Sequence, residues 1–298
     1  MLPVELAKQI RLLEIRTTRI VDEITGGAYR SAFKGRGIEF DEVREYTLDD
    51  DVRAIDWNVS ARMGAPYIKK FVEERELNVL LLVDVSASGA FGSAEKTKRR
   101  TAAELAALLA FSAGNSGDKV GLLMFSDRIE LYVPPRSGRR HTLRLIREML
   151  YFKPKSRGTD IDLALREALQ LLSKRSVIFL LSDLIGPETF ARSLKLLNRK
   201  HDVVALELFD PVEIHWPVKS PVVVEDAETG QLVRFSGGHD MARLQAELER
   251  TRTRKREVCR ASQVDLVEIE SGGDVLRPVI DFFARRRRRA AAGAGRPA

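Results

Sequence analysis

Two aspartates and three hydroxyl side chains in this sequence have the types and spacing of a site for a hard metal cation. Asp84, Ser86 and Ser88 stand at alternate positions, so an extended loop turns one carboxylate and two hydroxyls to the same side. Thr159 and Asp183 begin two later loops. Oxygen ligands suit Mg²⁺, which keeps several waters beside one or two carboxylates. We therefore predict a site for Mg²⁺, or another divalent cation, built from Asp84, Ser86, Ser88, Thr159 and Asp183.

The two aspartates each follow an apolar run that is typical of a buried parallel strand. Val79–Val83 precedes Asp84, and Val177–Leu181 leads to Asp183. Strands without polar alternation are covered on both faces, and ligands bind at the carboxyl ends of such strands, where the strand order reverses. Two carboxylates balance one divalent cation and hydroxyls add no charge. One coordination position is then left for the carboxylate of a partner.

Four of these polar residues also have a purely structural interpretation. Ser86 or Ser88 can N-cap the helix that follows, and Thr159 can N-cap a helix that begins at Asp160. Asp183 can cap the turn after its strand. The coincidence of three separate loops favours the metal site over three unrelated caps.

From residue 78 onward, apolar strands alternate with amphipathic helices, which indicates parallel βαβ units. We expect an α/β fold with a doubly wound, mostly parallel six-stranded sheet. Only three residues separate segments 120–125 and 129–133. This gap is too short for a crossover helix, so the two segments must form an antiparallel hairpin at or near an edge of the sheet. A second β-hairpin, turning at Thr229 and Gly230, is expected as an insertion at about 218–237.

The N-terminal region differs from this main domain, which we place at residues 77–284. A helix at 2–23 and two strand-like segments, 38–46 and 67–73, predict a small β-containing unit within residues 1–76. The acidic stretch before Trp57 is interpreted as a salt-bridged turn, with Trp57 at least partly buried. Residues 285–298 are expected to form a basic flexible tail in which Arg285–Arg289 fray into solvent, an acidic docking site being the alternative.

Composition excludes several functional classes. The 298-residue chain carries a formal charge of +7, but six of the positive charges lie after residue 284, where there is no acidic residue, so residues 1–284 carry +1. This predicts no specific nucleic-acid partner. No apolar run approaches the roughly 18 residues of a membrane span, and the first residues do not resemble a signal peptide. With a single cysteine, Cys259, expected to be buried, the sequence indicates a cytoplasmic protein.

The five predicted ligands also carry a family resemblance. Asp-x-Ser-x-Ser, a threonine and an aspartate on separate loops resemble the metal-ion-dependent adhesion site (MIDAS) of von Willebrand factor type A domains. All five positions match. Upstream, Tyr46–Trp57 and Ser60–Arg62 resemble the signature of the bacterial family called domain of unknown function 58, and this likeness covers nearly the whole chain after about residue 15. Asp49, where that family usually has glycine, and Gly89, where methionine is common, depart from the pattern without removing a ligand.

The resemblance implies a function as well as a fold. Members of the family are associated with MoxR-type AAA+ ATPases. The chain is therefore expected to be a non-enzymatic, metal-dependent protein-binding module. Its expected partners are such an ATPase and a client protein that is assembled or matured, in a chaperone-like role, with an acidic partner side chain as a further metal ligand.

The enzymatic alternative is a Mg-dependent phosphatase of the haloacid dehalogenase type, which also places an aspartate after its first strand. That chemistry needs a second aspartate two residues later as a general acid. Ser86 occupies this position and cannot donate a carboxylic acid proton. The four histidines lack metal-ligand spacing and are expected at the surface or at helix ends.

Overall fold

The computed structural model describes residues 39–294, except 48–49, 51, 53–54, 73–75, 94–95, 187–189, 215–221 and 236–237. The helix expected at 2–23 lies outside the described residues. The chain divides into two compact units, one formed by residues 34–76 and the other containing everything from Leu77 onward.

The smaller unit holds an antiparallel strand pair and one helix. Strand β1 (Glu39–Glu45) pairs with β2 (Tyr67–Val72), and helix α1 (Trp57–Met63) lies between them in sequence. Helix α1 begins at Asp56, whose carboxylate accepts hydrogen bonds from the backbone N–H groups of the next turn, as N-cap aspartates do. The predicted β-containing character of this unit is confirmed.

The acidic turn of this unit is salt-bridged as expected, but the expectation for its tryptophan is wrong. Asp50 pairs with Arg44 at 2.6 Å and accepts hydrogen bonds from Thr47. Trp57 is 68% exposed. It is the first residue of a two-turn helix in which Ser60 is the buried residue, so the helix turns little apolar surface inward.

The larger unit is built on one six-stranded sheet. Its strands are β3 (Asn78–Asp84), β4 (Lys119–Phe125), β5 (Ile129–Arg136), β6 (Ser176–Ser182), β7 (Asp202–Phe209) and β10 (Asp265–Glu270). Strands β8 (Val222–Glu225) and β9 (Leu232–Phe235) form a separate antiparallel pair. The spatial order is β10-β7-β6-β3-β4-β5, and every neighbouring pair is parallel except β4 with β5. The chain winds outward from β3 in one direction and then returns to wind outward from β6 in the other. The order therefore reverses between β3 and β6, and the predicted doubly wound, mostly parallel six-stranded sheet is confirmed.

Strand β5 contains two prolines, which its position at the edge of the sheet allows. Pro134 and Pro135 lack a donor for a ladder hydrogen bond, which an edge strand can accept. The β4–β5 register shifts between Val120 and Leu122, at Gly121, where a Cβ atom would lie 2.9 Å from the Pro135 ring. The predicted antiparallel hairpin is thus present, and its glycine is required by this close approach.

Helices cover both faces of the sheet. The first face carries α2 (Lys98–Asn115), α3 (Arg139–Tyr151) and α8 (Leu276–Ala294), and the second carries α4 (Ile161–Leu171), α5 (Phe190–Lys200) and α7 (Gly238–Ala261). A short helix, α6 (Pro211–Ile214), follows β7. Alternate residues of β3 point to opposite faces, and both sets are fully buried, which explains the unbroken apolar run.

Two predictions about single residues of this unit, Cys259 and His201, agree with the structure. Cys259 is buried among the apolar side chains of the second face, as predicted, and burial raises the pKa of its thiol to about 12. His201 directly follows α5, at a helix end as predicted, and is 1% exposed. In the described part of the chain, no helix is long and apolar enough to cross a membrane.

The first residues of the basic C-terminal segment belong to helix α8 and form ion pairs with the sheet. Helix α8 continues to Ala294, and the Arg286 guanidinium donates to both carboxylate oxygens of Asp202 while lying 5.8 Å from the centre of the Phe282 ring. Arg289 pairs with Asp265 at 3.4 Å. The expectation that this whole segment frays is therefore wrong for Arg286, because its spacing of four from Phe282 places it on the inner side of the helix.

Candidate metal site at the reversal of strand order

Asp84 ends β3 with its carboxylate held inside the protein. One oxygen, Oδ1, accepts a hydrogen bond from the backbone N–H of Ser86 at 2.9 Å, and Oδ2 accepts from the Ser182 hydroxyl at 2.7 Å. Asp84 is 9% exposed. Burial, and secondarily the neighbouring charge of Asp183, raise the pKa of Asp84 to about 6. The Asp84 carboxylate thus lies where a positive charge would stabilise its ionised form.

The hydroxyls of the two serines in the same loop lie close together. The hydroxyl of Ser86, fully buried, lies 3.1 Å from that of Ser88. Ser88 lines a small cavity together with Asp84 and Asp183 and helps to lower the pKa of Asp183. The structural alternative, in which Ser86 caps the short 3₁₀ helix at Ala87–Ala90, is not realised, because its hydroxyl makes no capping bond. Four of the five predicted ligands therefore lie at or directly beside one cavity.

Asp183 begins the loop after β6, on the neighbouring strand. Its Oδ1 accepts from the backbone N–H of Ile185 at 3.2 Å, so the predicted local capping bond is also present. The next residue, Leu184, is buried and has a φ of 53°. A left-handed conformation costs a non-glycine residue roughly 1–2 kcal/mol. The loop accepts this strain while it turns Asp183 toward the reversal point.

A buried lysine that the sequence analysis did not identify completes this centre. Lys98, at the start of α2, is 2% exposed and donates to Asp183 Oδ2 at 2.8 Å and to Glu213 Oε1 at 2.6 Å. Burial disfavours the charged lysine, but Asp183 and Glu213 outweigh it, and the pKa of Lys98 is raised. Burial likewise opposes ionisation of Asp183, but the Lys98 ammonium prevails and lowers its pKa. One signal was visible in the sequence, since a lysine in the first turn of a helix opposes the helix dipole.

The fifth predicted ligand, Thr159, lies on an adjoining loop. The two loops meet where the backbone N–H of Ala87 donates to the carbonyl of Arg157 at 2.9 Å. The N-cap of α4 is Asp160, so the capping interpretation of Thr159 is wrong. The Thr159 hydroxyl instead donates to Glu228 Oε1 at 2.6 Å. Thr159 thus lies on a loop that contacts the Asp84 loop, but its hydroxyl is engaged with a residue from elsewhere in the chain.

A small cavity lies among these side chains. Its lining includes Asp84, Ser88, Lys98, Arg99 and Asp183, and its volume is about 10 Å³. This is room for roughly one water-sized sphere. The space therefore suits a single ion or water and is too small for an organic substrate.

The donor set agrees with a divalent cation in kind, with one complication. In the described part of the chain, no group of three or more His, Cys, Asp or Glu side chains is arranged to hold a metal. The set here is two carboxylates with hydroxyls, which suits a hard cation that retains water. The complication is Lys98, because its ammonium already contacts Asp183. A cation bound directly to that carboxylate oxygen has to displace the ammonium.

The formal charges around the cavity define what the site can accept. Three carboxylates, those of Asp84, Asp183 and Glu213, face two cations, Lys98 and Arg99, whose guanidinium donates to the carbonyls of Val85 and Ser86. The balance is one negative charge. A divalent cation converts it to one positive charge, which a single further carboxylate neutralises. In formal charge, one divalent cation and one carboxylate together balance the centre.

Strand order and the position of these oxygens define a doubly wound α/β protein with a polar centre at its switch point. The chain belongs to the family described as "Protein of unknown function DUF58", whose model matches residues 42–258. It is 33% identical over 295 residues to "Uncharacterized protein Rv1480" of Mycobacterium tuberculosis, covering 97% of this chain and 92% of that protein. The predicted membership of this family is confirmed.

Two similar solved structures have lower sequence identity to this chain than that relative has. A conserved hypothetical protein, BatB from Bacteroides thetaiotaomicron, aligns with a TM-score of 0.44 and 13% identity, over 71% of this chain and 99% of that one. A von Willebrand factor type A protein from Catenulispora acidiphila aligns with a TM-score of 0.43 and 12% identity, over 71% and 43% of the two chains.

Proposed function

We propose that this protein is a non-catalytic binding module that recognises an acidic side chain of a partner protein through a divalent cation, Mg²⁺ by its donor chemistry. Asp84, Ser86, Ser88, Thr159 and Asp183 are the proposed ligands. The observation that supports this best is that Asp84, Ser88 and Asp183 line one cavity of single-ion size, with the Ser86 hydroxyl 3.1 Å from that of Ser88. A cation that keeps exchangeable water can take a partner's Asp or Glu as a further ligand.

The raised pKa of Asp84 supports the same proposal. Two buried carboxylates close together disfavour each other's ionisation. Lys98 compensates Asp183 directly, whereas Asp84 is compensated by hydrogen bonds from Ser86 and Ser182. A bound cation supplies the missing charge at Asp84.

As partner we propose a MoxR-type AAA+ ATPase, with a client protein that the pair assembles or matures. This proposal comes from the family resemblance. The acidic ligand is then an Asp or Glu on the surface of the ATPase or of the client.

The test compares binding of the MoxR-type ATPase encoded nearest this gene to wild type and Asp84→Asn, each in Mg²⁺ and in EDTA. Of these four combinations, calorimetry is expected to detect binding only for wild type in Mg²⁺. Asp162→Asn is the matched control, because Asp162 pairs with Arg166 one turn along α4, outside the ligand set. Equal affinity in all conditions overturns the cation mechanism. Turnover of a phosphoester by wild type, lost in Asp84→Asn, reassigns the site to the phosphatase alternative.

A further inference from the structure

The Thr159 hydroxyl is engaged by a hairpin that enters the chain between β7 and β10. Strands β8 (Val222–Glu225) and β9 (Leu232–Phe235) pair in antiparallel register, as predicted from the sequence. Their connecting turn carries Glu228, which is half-buried and accepts the 2.6 Å hydrogen bond from Thr159. A carboxylate from a distant part of the chain is therefore held against a proposed metal ligand.

The position of Glu228 is fixed from two sides. Within the turn, the Asp226 carboxylate accepts from the backbone N–H groups of Glu228 and Thr229 at 3.0 and 2.8 Å. From the neighbouring loop, the Arg157 guanidinium donates to the carbonyl of Ala227 through Nε at 3.1 Å and Nη2 at 2.8 Å. The same residue, Arg157, accepts a backbone bond from the loop that follows Asp84. The hairpin tip is thus bonded to the Thr159 loop, which is itself bonded to the loop that follows Asp84.

We propose that Glu228 is an acidic ligand of this site supplied by the protein itself, the carboxylate that an acidic partner has to replace. The inference rests on the proposed function. A divalent cation leaves one positive formal charge at the centre, and the Glu228 carboxylate, hydrogen-bonded to Thr159, neutralises it without a partner. The hairpin therefore closes the site when no partner is present.

The hairpin is suited to being displaced. Val223, Leu232 and Val233 are 57%, 70% and 46% exposed, so it buries little apolar surface. Segments with few buried apolar contacts open at low free-energy cost. If the closed form makes up about 90% of molecules, an acidic ligand binds about tenfold more weakly than to the open site.

The experiment uses Glu228→Gln, because glutamine keeps an acceptor for Thr159 while removing the charge. Glu225→Gln is the matched control. Glu225 lies on the same hairpin, is 57% exposed, and pairs with Arg157 at only 3.8 Å. Two quantities are measured on the full chain: Mg²⁺ affinity by calorimetry, and Mg²⁺-dependent binding of a fluorescein-labelled polyglutamate peptide by anisotropy.

Glu228→Gln is expected to bind Mg²⁺ several-fold more weakly than wild type and, at saturating Mg²⁺, to bind the peptide up to about tenfold more tightly, because the internal competitor is gone. Glu225→Gln is expected to match wild type in both. If Glu228→Gln also matches wild type, Glu228 is not a ligand. The proposed function still stands in that case, provided that wild type binds Mg²⁺ and Asp84→Asn abolishes this binding. If wild type binds no Mg²⁺, both proposals fail together.

Discussion

Lys98→Met tests whether the buried ammonium and a metal cation compete for Asp183. The ammonium is 2% exposed and lies 2.8 Å from Asp183 and 2.6 Å from Glu213. Methionine keeps an unbranched chain of similar reach and removes the charge. Removing one partner of a buried ion pair costs about 3–5 kcal/mol, because the other charge stays buried. The side chain of Glu213 is 26% exposed and can turn to water, so we expect a loss near the lower limit, about 3 kcal/mol in EDTA, with Asp183 as its main source.

Mg²⁺ is expected to reverse part of this loss. A ligand that binds only the folded state stabilises it by about 2.7 kcal/mol when its concentration is 100 times its Kd. In wild type a cation has to displace the ammonium, whereas in Lys98→Met the Asp183 carboxylate is free. The stabilisation by Mg²⁺ should therefore be larger in the variant than in wild type.

The assay is urea unfolding followed by circular dichroism, in saturating Mg²⁺ and in EDTA. Lys96→Met is the control, since the Lys96 ammonium pairs with Glu104 but is one third exposed, and such a pair contributes at most about 1 kcal/mol. Adding Asp183→Asn to Lys98→Met should recover stability in EDTA and remove the response to Mg²⁺. The reasoning is refuted if Lys98→Met is no less stable than Lys96→Met in EDTA, or if Mg²⁺ stabilises wild type and Lys98→Met equally.

Two further variants test the fold away from the site. His201 has no hydrogen-bond partner on either ring nitrogen among the described residues, and burial lowers its pKa to about 4. The unfolded chain binds this proton below about pH 6.5, so stability that is present above that pH is lost as the pH falls, by about 2 kcal/mol between pH 7 and 5. Unfolding of His201→Phe should lack this part of the pH dependence, and an unchanged pH profile would contradict the assignment. Arg286→Met should cost about 1–2 kcal/mol through its charged hydrogen bonds to Asp202, whereas the exposed Arg288→Met should change stability by less than about 0.5 kcal/mol. Equal melting temperatures for these two arginine variants would show that the Asp202 contact contributes nothing.

The sheet was predictable because its strands are encoded locally. The apolar runs before Asp84 and Asp183 can only be buried on both faces, and the three-residue gap after Phe125 leaves no alternative to a hairpin. These facts also place the two aspartates at one edge, as the parallel β3–β6 pair confirms. Period two along the loop likewise brings Ser86 and Ser88 to one side.

The contacts that complete the centre were not predictable in the same way. Lys98 reaches Asp183 across 85 positions of the sequence, and Glu228 reaches Thr159 across 69. Such contacts depend on how helix α2 is rotated against the sheet and where the hairpin folds back, neither of which leaves a periodic pattern. The error at Trp57 has the same origin, because tertiary packing decides the burial of a single residue at the end of a helix.

The most direct measurement of the central claim is anomalous diffraction from crystals of the protein soaked in Mn²⁺, a divalent cation that also prefers oxygen ligands. The account predicts one strong anomalous peak between the carboxylates of Asp84 and Asp183, with the Lys98 ammonium moved off Asp183. A map without a peak at these side chains, and with Lys98 still bonded to Asp183, would contradict it.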